Sequence, residues 1–134
     1  MENPKSFRLS LALLVAALIY LPAVTAPPHL MDDVDGVQAQ IARNMLTSGH
    51  WVSARLDGVL YLEKSPLNYW LMAASYAVFG VHDWAARLPV FLSILALAWL
   101  VFAMGRWAFS TEAGFYSSLA VSTSVGLFLF TRIL

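Results

Sequence analysis

The sequence predicts an all-α integral membrane protein: three transmembrane helices, with two interfacial juxtamembrane helices in the first outward loop. Composition is the first reason. The 134 residues are 60% hydrophobic and 12% charged, against about 25% charged in an ordinary soluble domain. The second is the presence of three apolar runs of roughly the 20 residues that cross a bilayer. The third is charge placement, since six of the eight acidic residues fall between the first run and the second. Zero net charge leaves no basic footprint for nucleic acid, and none is expected as a partner. The lack of cysteine excludes a disulfide framework and thiolate metal sites.

The first span runs from about Phe7 to Ala26, behind a basic start at Lys5 and Arg8. Val24-Thr25-Ala26 resembles a signal-peptide cleavage site, but Pro27-Pro28 would follow the cut and the apolar run is long for a signal. An uncleaved helix is the reading adopted. The second span runs from about Leu88 to Phe109, with Arg87 at its start and Arg106 near its end. The third runs from about Ala113 to Thr131, and its serines and threonines can bond to their own or a neighbouring helix. Basic residues face the cytoplasm, so Lys5, Arg8 and Arg106 place the N-terminus there and turn residues 27–86 outward. The expected location is the cell inner (plasma) membrane. The chain reaches Leu134 with no polar tail after the third span, so a truncated reading frame is expected.

Within the outward loop, Val34, Val37, Ile41 and Met45 recur at helical spacing, with Gln38, Gln40, Arg43 and Asn44 largely elsewhere around the helix. This predicts an amphipathic helix over about Val34 to Thr47, resting on the membrane interface. Asp33 or Asp35 would head it, and Gly49 would stop it. Asp57-Gly58 is a strong turn dipeptide, so Trp51 to Glu63 predicts a short hairpin that delivers Glu63 and Lys64 to a defined place. A second short helix is expected from Pro66 at N1, capped by Ser65, to Phe79, with Gly80 ending it.

Each polar feature has two readings. Asp33 and Asp35 could act as a general base or as metal ligands, or only cap a helix. Glu63-Lys64 could hold a phosphate through the lysine, or form a solvated turn. Arg87 could meet a lipid phosphate, pair with Asp83 or snorkel. The aromatic residues Trp51, Tyr61, Tyr69, Trp70 and Trp84 suit interface anchoring more than a sugar platform. The three histidines show no ligand spacing.

These pieces, in this order, resemble the start of the polyprenyl-phosphate-sugar-dependent glycosyltransferases of the GT-C class. The nearest groups are the aminoarabinose lipid A transferases and the protein O-mannosyltransferase-like proteins of glycosyltransferase family 39. The resemblance rests on Asp33-Val34-Asp35, Arg43-Asn44-Met45-Leu46, Ser48-Gly49-His50-Trp51, Leu56-Asp57-Gly58, Ala86-Arg87-Leu88-Pro89 and, most specifically, Tyr61-Leu62-Glu63-Lys64-Ser65-Pro66-Leu67-Asn68-Tyr69-Trp70. It implies that residues 1–134 are the N-terminal part of a multi-pass GT-C domain. It also implies transfer of a sugar from a polyprenyl-phosphate donor to a lipid A or protein acceptor on the outward face, by inverting displacement. Asp33 or Asp35 would then be catalytic, Lys64 and Arg87 would bind donor phosphate, and Glu63 would help hold a divalent metal. The chain departs from the pattern where Asp32-Asp33-Val34-Asp35 replaces the usual Asp-Glu pair, so that the family spacing back from Glu63 lands on Val34. Ser65 also stands where proline is usual. Residues 1–134 alone are expected to bind membrane without catalysing. The competing readings are a small non-enzymatic membrane interaction protein and part of a transporter.

Overall fold

The computed structural model describes residues 4–25, 33–61 and 64–131. In chain order these form α1 (Pro4–Thr25), α2 (Asp33–Ser48), β1 (Arg55–Leu56), β2 (Val59–Leu60), α3 (Leu67–Phe79), α4 (Asp83–Ala108), α5 (Thr111–Ser122) and α6 (Val125–Phe130). The chain divides into two compact units. One takes residues 1–25 and 91–132; the other takes residues 26–90 with 133–134. Helix α4 contributes its first turns to the second unit and the rest to the first.

In the first unit, α1 buries Ala12, Ala16, Tyr20 and Val24, one residue per turn along a single stripe. It packs on α5 and sets Tyr20 against Phe128 of α6; α5 buries Gly114, Ser118 and Ser122 at the same four-residue spacing, the first two against α4. Small residues along such stripes let backbones approach closely, which is how helices associate where lipid removes the hydrophobic drive. The α4–α5 hairpin shows the limit of this approach. A Cβ on Gly105 would lie 2.7 Å from Gly114 Cα, and one on Gly114 would lie 2.5 Å from the Phe102 carbonyl oxygen. Ser118 Oγ donates to the Ala98 carbonyl at 2.9 Å, a buried bond between the same two helices. The hairpin turns at Phe109 and Ser110, and Ser110 caps α5 by accepting from Ala113 N–H at 3.1 Å. Leu11, Leu14, Leu18 and Leu21 on α1, and Leu92, Leu97, Trp99, Leu100 and Met104 on α4, are exposed. Such a surface suits lipid rather than water.

Two of the three expected spans are single helices long and apolar enough to cross a membrane, at Ser6–Thr25 and Asp83–Ala108. The third is divided. Thr123 Oγ1 bonds back to the Leu119 carbonyl at 2.9 Å, and Ser124 N–H reaches the Val121 carbonyl three residues back. Ser124 then turns extended before α6 begins. Three consecutive hydroxyl residues offer the backbone local alternatives to helix bonding, and Gly126 comes two residues later.

The second unit is built on α2 and α3. The apolar stripe of α2 is not laid bare for a membrane surface: Ile41, Ala42 and Met45 are buried against Tyr69, Met72, Ala73 and Tyr76. Gln38, expected away from that stripe, is buried too. The opposite side of α3 exposes Leu67, Trp70, Leu71 and Val78. The hairpin forms with the register Arg55↔Leu60 and Leu56↔Val59. Asp57 and Gly58 both take positive φ, as a two-residue hairpin turn requires. Asn44 Nδ2 donates to the Arg55 carbonyl at 3.1 Å and Trp70 Nε1 to the Trp51 carbonyl at 2.6 Å, so the hairpin is tied to both helices.

Two helix starts differ from expectation. Pro66 is the N-cap of α3, not its first residue, and Ser65 is not the cap. Pro66 already has αR dihedrals, and its carbonyl accepts the first helical bond, from Trp70 N–H at 3.0 Å. Helix α4 starts at Asp83, five residues before Leu88, and runs through Pro89. Proline has no N–H for the carbonyl four residues back, which here belongs to Ala85. Ser75 Oγ donates to that carbonyl at 2.6 Å in a buried bond, so a hydroxyl from α3 supplies what the proline withholds.

Candidate functional site

The polar side chains of the second unit converge where three helices start. Asp35 lies in the first turn of α2, Asn68 is the second residue of α3, and Arg87 is the fifth of α4. Arg87 Nη2 meets Asp35 Oδ2 at 3.4 Å, with side-chain exposures of only 6% and 4%. One turn along α2, buried Gln38 accepts a hydrogen bond from Asn68 Nδ2 at 2.8 Å. The apolar floor beneath includes Ile41, Tyr69, Met72 and Ala86. Burial of an ion pair is tolerated only when charge meets charge and the remaining polar atoms find partners.

The site residues expected from the sequence are thus distributed unevenly. Asp35 and Arg87 are together, 52 positions apart in sequence and joined in space. Asp33 is the first residue of α2, two before Asp35. Lys64 is exposed, just ahead of α3. Glu63 lies outside the described residues, as does the side chain of Asp33. Arg87 meets Asp35, where the sequence had offered Asp83 of its own helix. Gln38 and Asn68 were missed. The signal available was the spacing Asp35-x-x-Gln38, which puts both on one helix face, but a buried glutamine in an otherwise apolar stripe reads from sequence as a misfit.

Tyr76 borders the same core. Burial first, and Asp83 second, raise its phenol above the ordinary 10, while Arg43 partly opposes them. At the α3–α4 connection His82 stacks on Trp84, with ring centroids 6.1 Å apart, and Phe79 packs on the same indole at 5.4 Å. Among the described residues no three histidine, aspartate or glutamate side chains gather to hold a metal ion. Glu63, the acid that the resemblance gives to a divalent ion, lies outside those residues.

Comparison with known proteins adds the following. Residues 63–134 match the family model of the dolichyl-phosphate-mannose-protein mannosyltransferases. An undecaprenyl phosphate-α-4-amino-4-deoxy-L-arabinose arabinosyl transferase of Pseudomonas fluorescens is 31% identical over 119 residues, 89% of this chain and 20% of the relative. One of Proteus mirabilis is 37% identical over 90 residues, 62% of this chain and 16% of the relative. The crystal structure of ArnT from Cupriavidus metallidurans in the apo state superposes with a TM-score of 0.85 at 27% identity, over 98% of this chain and 24% of that one. The chain thus spans about a fifth of the length of the curated relatives it matches.

Proposed function

Since this chain belongs to the dolichyl-phosphate-mannose-protein mannosyltransferase family, we propose that it forms the N-terminal part of a longer membrane glycosyltransferase of the GT-C class. The enzyme moves a sugar from a polyprenyl-phosphate donor, 4-amino-4-deoxy-L-arabinose on undecaprenyl phosphate being the first candidate, to a lipid A or protein acceptor. The observation that carries this reading is the superposition of nearly the whole chain, both units included, on the solved ArnT. The curated relatives named for arabinosyl transfer support the choice of donor.

In this proposal the reaction is one displacement with inversion at the anomeric carbon. The bond from sugar to phosphate oxygen breaks as the bond to the acceptor oxygen forms, and polyprenyl phosphate leaves with the electron pair. Lys64 meets the leaving phosphate as a point charge, a placement supported by its exposure at the end of a hairpin tied to α2 and α3. The head of α2, with Asp33 and Asp35, takes the acceptor side. There a carboxylate accepts the proton of a hydroxyl acceptor, or only positions one that is already a phosphate oxyanion. Glu63 stands beside Lys64 as the donor-site acid.

The same reading places the chain in the inner membrane with its N-terminus cytoplasmic. Arg8 on α1 pairs with Glu112 in the first turn of α5 at 2.9 Å, which brings the basic start of the chain to the same end as Arg106. That agreement supports one cytoplasmic face for both. Helices α5 and α6 together complete the third crossing, and the exposed apolar side of α3 rests at the outward interface.

The test uses membranes carrying the full-length protein, with undecaprenyl-phosphate aminoarabinose as donor and lipid A as acceptor. Release of undecaprenyl phosphate is expected. Lys64→Ala should raise the donor KM at least about tenfold, the size of one hydrogen bond to a charged group. Residues 1–134 alone should give no turnover. A full-length protein that consumes neither this donor nor a polyprenyl-phosphate hexose would overturn the reading.

A further inference from the structure

The resemblance gives Arg87 to the donor phosphate and leaves Asp33 and Asp35 equivalent. The geometry gives Asp35 a partner. A cation that receives a phosphate must present its donors to the ligand, yet the Arg87 side chain is 6% exposed and faces the carboxylate of Asp35, itself 4% exposed. Their separation of 3.4 Å exceeds the roughly 2.7–2.9 Å of a strong charge-assisted bond. Contacts of this kind contribute little net stability compared with apolar replacements, while fixing one arrangement of the elements they join. Here the elements are the first turn of α2 and the first turns of α4. The adjoining Gln38–Asn68 bond, 2.8 Å long, adds the start of α3.

We propose that Asp35 and Arg87 are a positioning pair: their buried contact, beside Gln38 and Asn68, fixes the head of α2 on the start of α4, and Arg87 acts through Asp35 instead of on the donor phosphate. This rests on the transferase reading and deepens it. The acceptor role assigned to the head of α2 then falls to Asp33, and the donor phosphate belongs to Lys64.

The experiment follows activity and thermal unfolding of the full-length protein in detergent. Arg87→Met takes the guanidinium away from the buried Asp35 carboxylate, so kcat should fall at least about tenfold and the unfolding temperature should drop. The donor KM should stay at the wild-type value, and Arg87→Lys should recover part of kcat. Asp35→Leu should behave like Arg87→Met. The double variant Asp35→Leu/Arg87→Met removes both charges, and it should regain the unfolding temperature and reach within about threefold of wild-type kcat. A donor KM raised by Arg87→Met at unchanged unfolding temperature would make Arg87 a phosphate ligand and overturn the proposal. So would a double variant that is stable but inactive, because leucine cannot replace a reacting carboxylate. A double variant no more stable than either single exchange also overturns it. If the wild type itself shows no transfer, the parent reading fails, and the recovery of unfolding temperature in the double variant still decides whether the two residues act as a pair.

Discussion

The two units of this chain hold their helices together by opposite means. In the unit of α1, α5, α6 and most of α4, backbones come so close that Gly105 and Gly114 have no space for a methyl group, and the buried polar bond between helices is a short hydroxyl, Ser118, reaching a carbonyl, with the Arg8–Glu112 pair at the rim. In the unit of α2, the hairpin, α3 and the start of α4, longer polar side chains also cross between helices, Asp35 to Arg87 and Gln38 to Asn68, beside the Ser75 hydroxyl on the carbonyl freed by Pro89. The difference follows from what surrounds each unit. Helices facing lipid gain nothing by burying more apolar surface, so they gain by shape and close approach. A loop domain with a mixed surface gains by covering an apolar face, and it can place charges inside provided each finds its counterpart. The unit packed by shape has few groups for chemistry, whereas the unit pinned by polar bonds carries every site residue named from the sequence.

That contrast can be broken most forcefully in the first unit. Gly114→Ala sets a methyl against the Phe102 carbonyl oxygen, backbone that cannot swing aside. The hairpin of α4 and α5 should open, lowering stability by about 3 kcal/mol, near the upper end of ordinary overpacking. Thermal unfolding in detergent measures it, and an unchanged transition would mean the helices are not held by close approach. Ser75→Ala sharpens the comparison in the second unit. It strands the Ala85 carbonyl beside Pro89 and should cost about 1–2 kcal/mol by the same measurement; no loss would mean that carbonyl has another partner. The smallest effect appears only in alkali. Because the Tyr76 phenol keeps its proton above the ordinary value of 10 in the folded chain, the unfolded chain ionises first as pH rises. Stability that is fully present below pH 10 is therefore lost above it. Tyr76→Phe should lack this alkaline loss, and identical alkaline unfolding curves for the two proteins would remove Tyr76 as its source.

How far the sequence could be read varied with the kind of signal. Apolar length alone located α1 and α4, because a run that must cross hydrocarbon has little freedom of composition. Asp57-Gly58, Gly49 and Gly80 marked their turns and stops correctly, since positive φ selects residue types locally. The division of the third span at Ser122-Thr123-Ser124 went unread, because hydroxyl side chains that bond back to their own helix and those that bond to a neighbour have the same composition. The early start of α4 went unread because apolar length marks where a span begins, not the helical turn from Asp83 to Arg87 ahead of it. The donor to the carbonyl that Pro89 leaves free, Ser75, is 14 residues away on a different helix. In the candidate site, the residues were legible one at a time. Their pairing was not.

The sequence by itself determined that this chain enters a membrane, that its acids gather between two apolar spans, and that its order of motifs resembles the opening of a GT-C transferase. Only the tertiary structure decided which acid meets which base. Apolar length, turn residues and motif order are local quantities, and each is written in consecutive residues. The meeting of Asp35 and Arg87 depends on α2 lying on α3 while α4 starts beside them, and that arrangement is set by the burial of Ile41, Met45, Tyr69 and Met72 in one core. Asp33 and Asp35 look alike in the sequence, and folding is what brings Arg87 to Asp35.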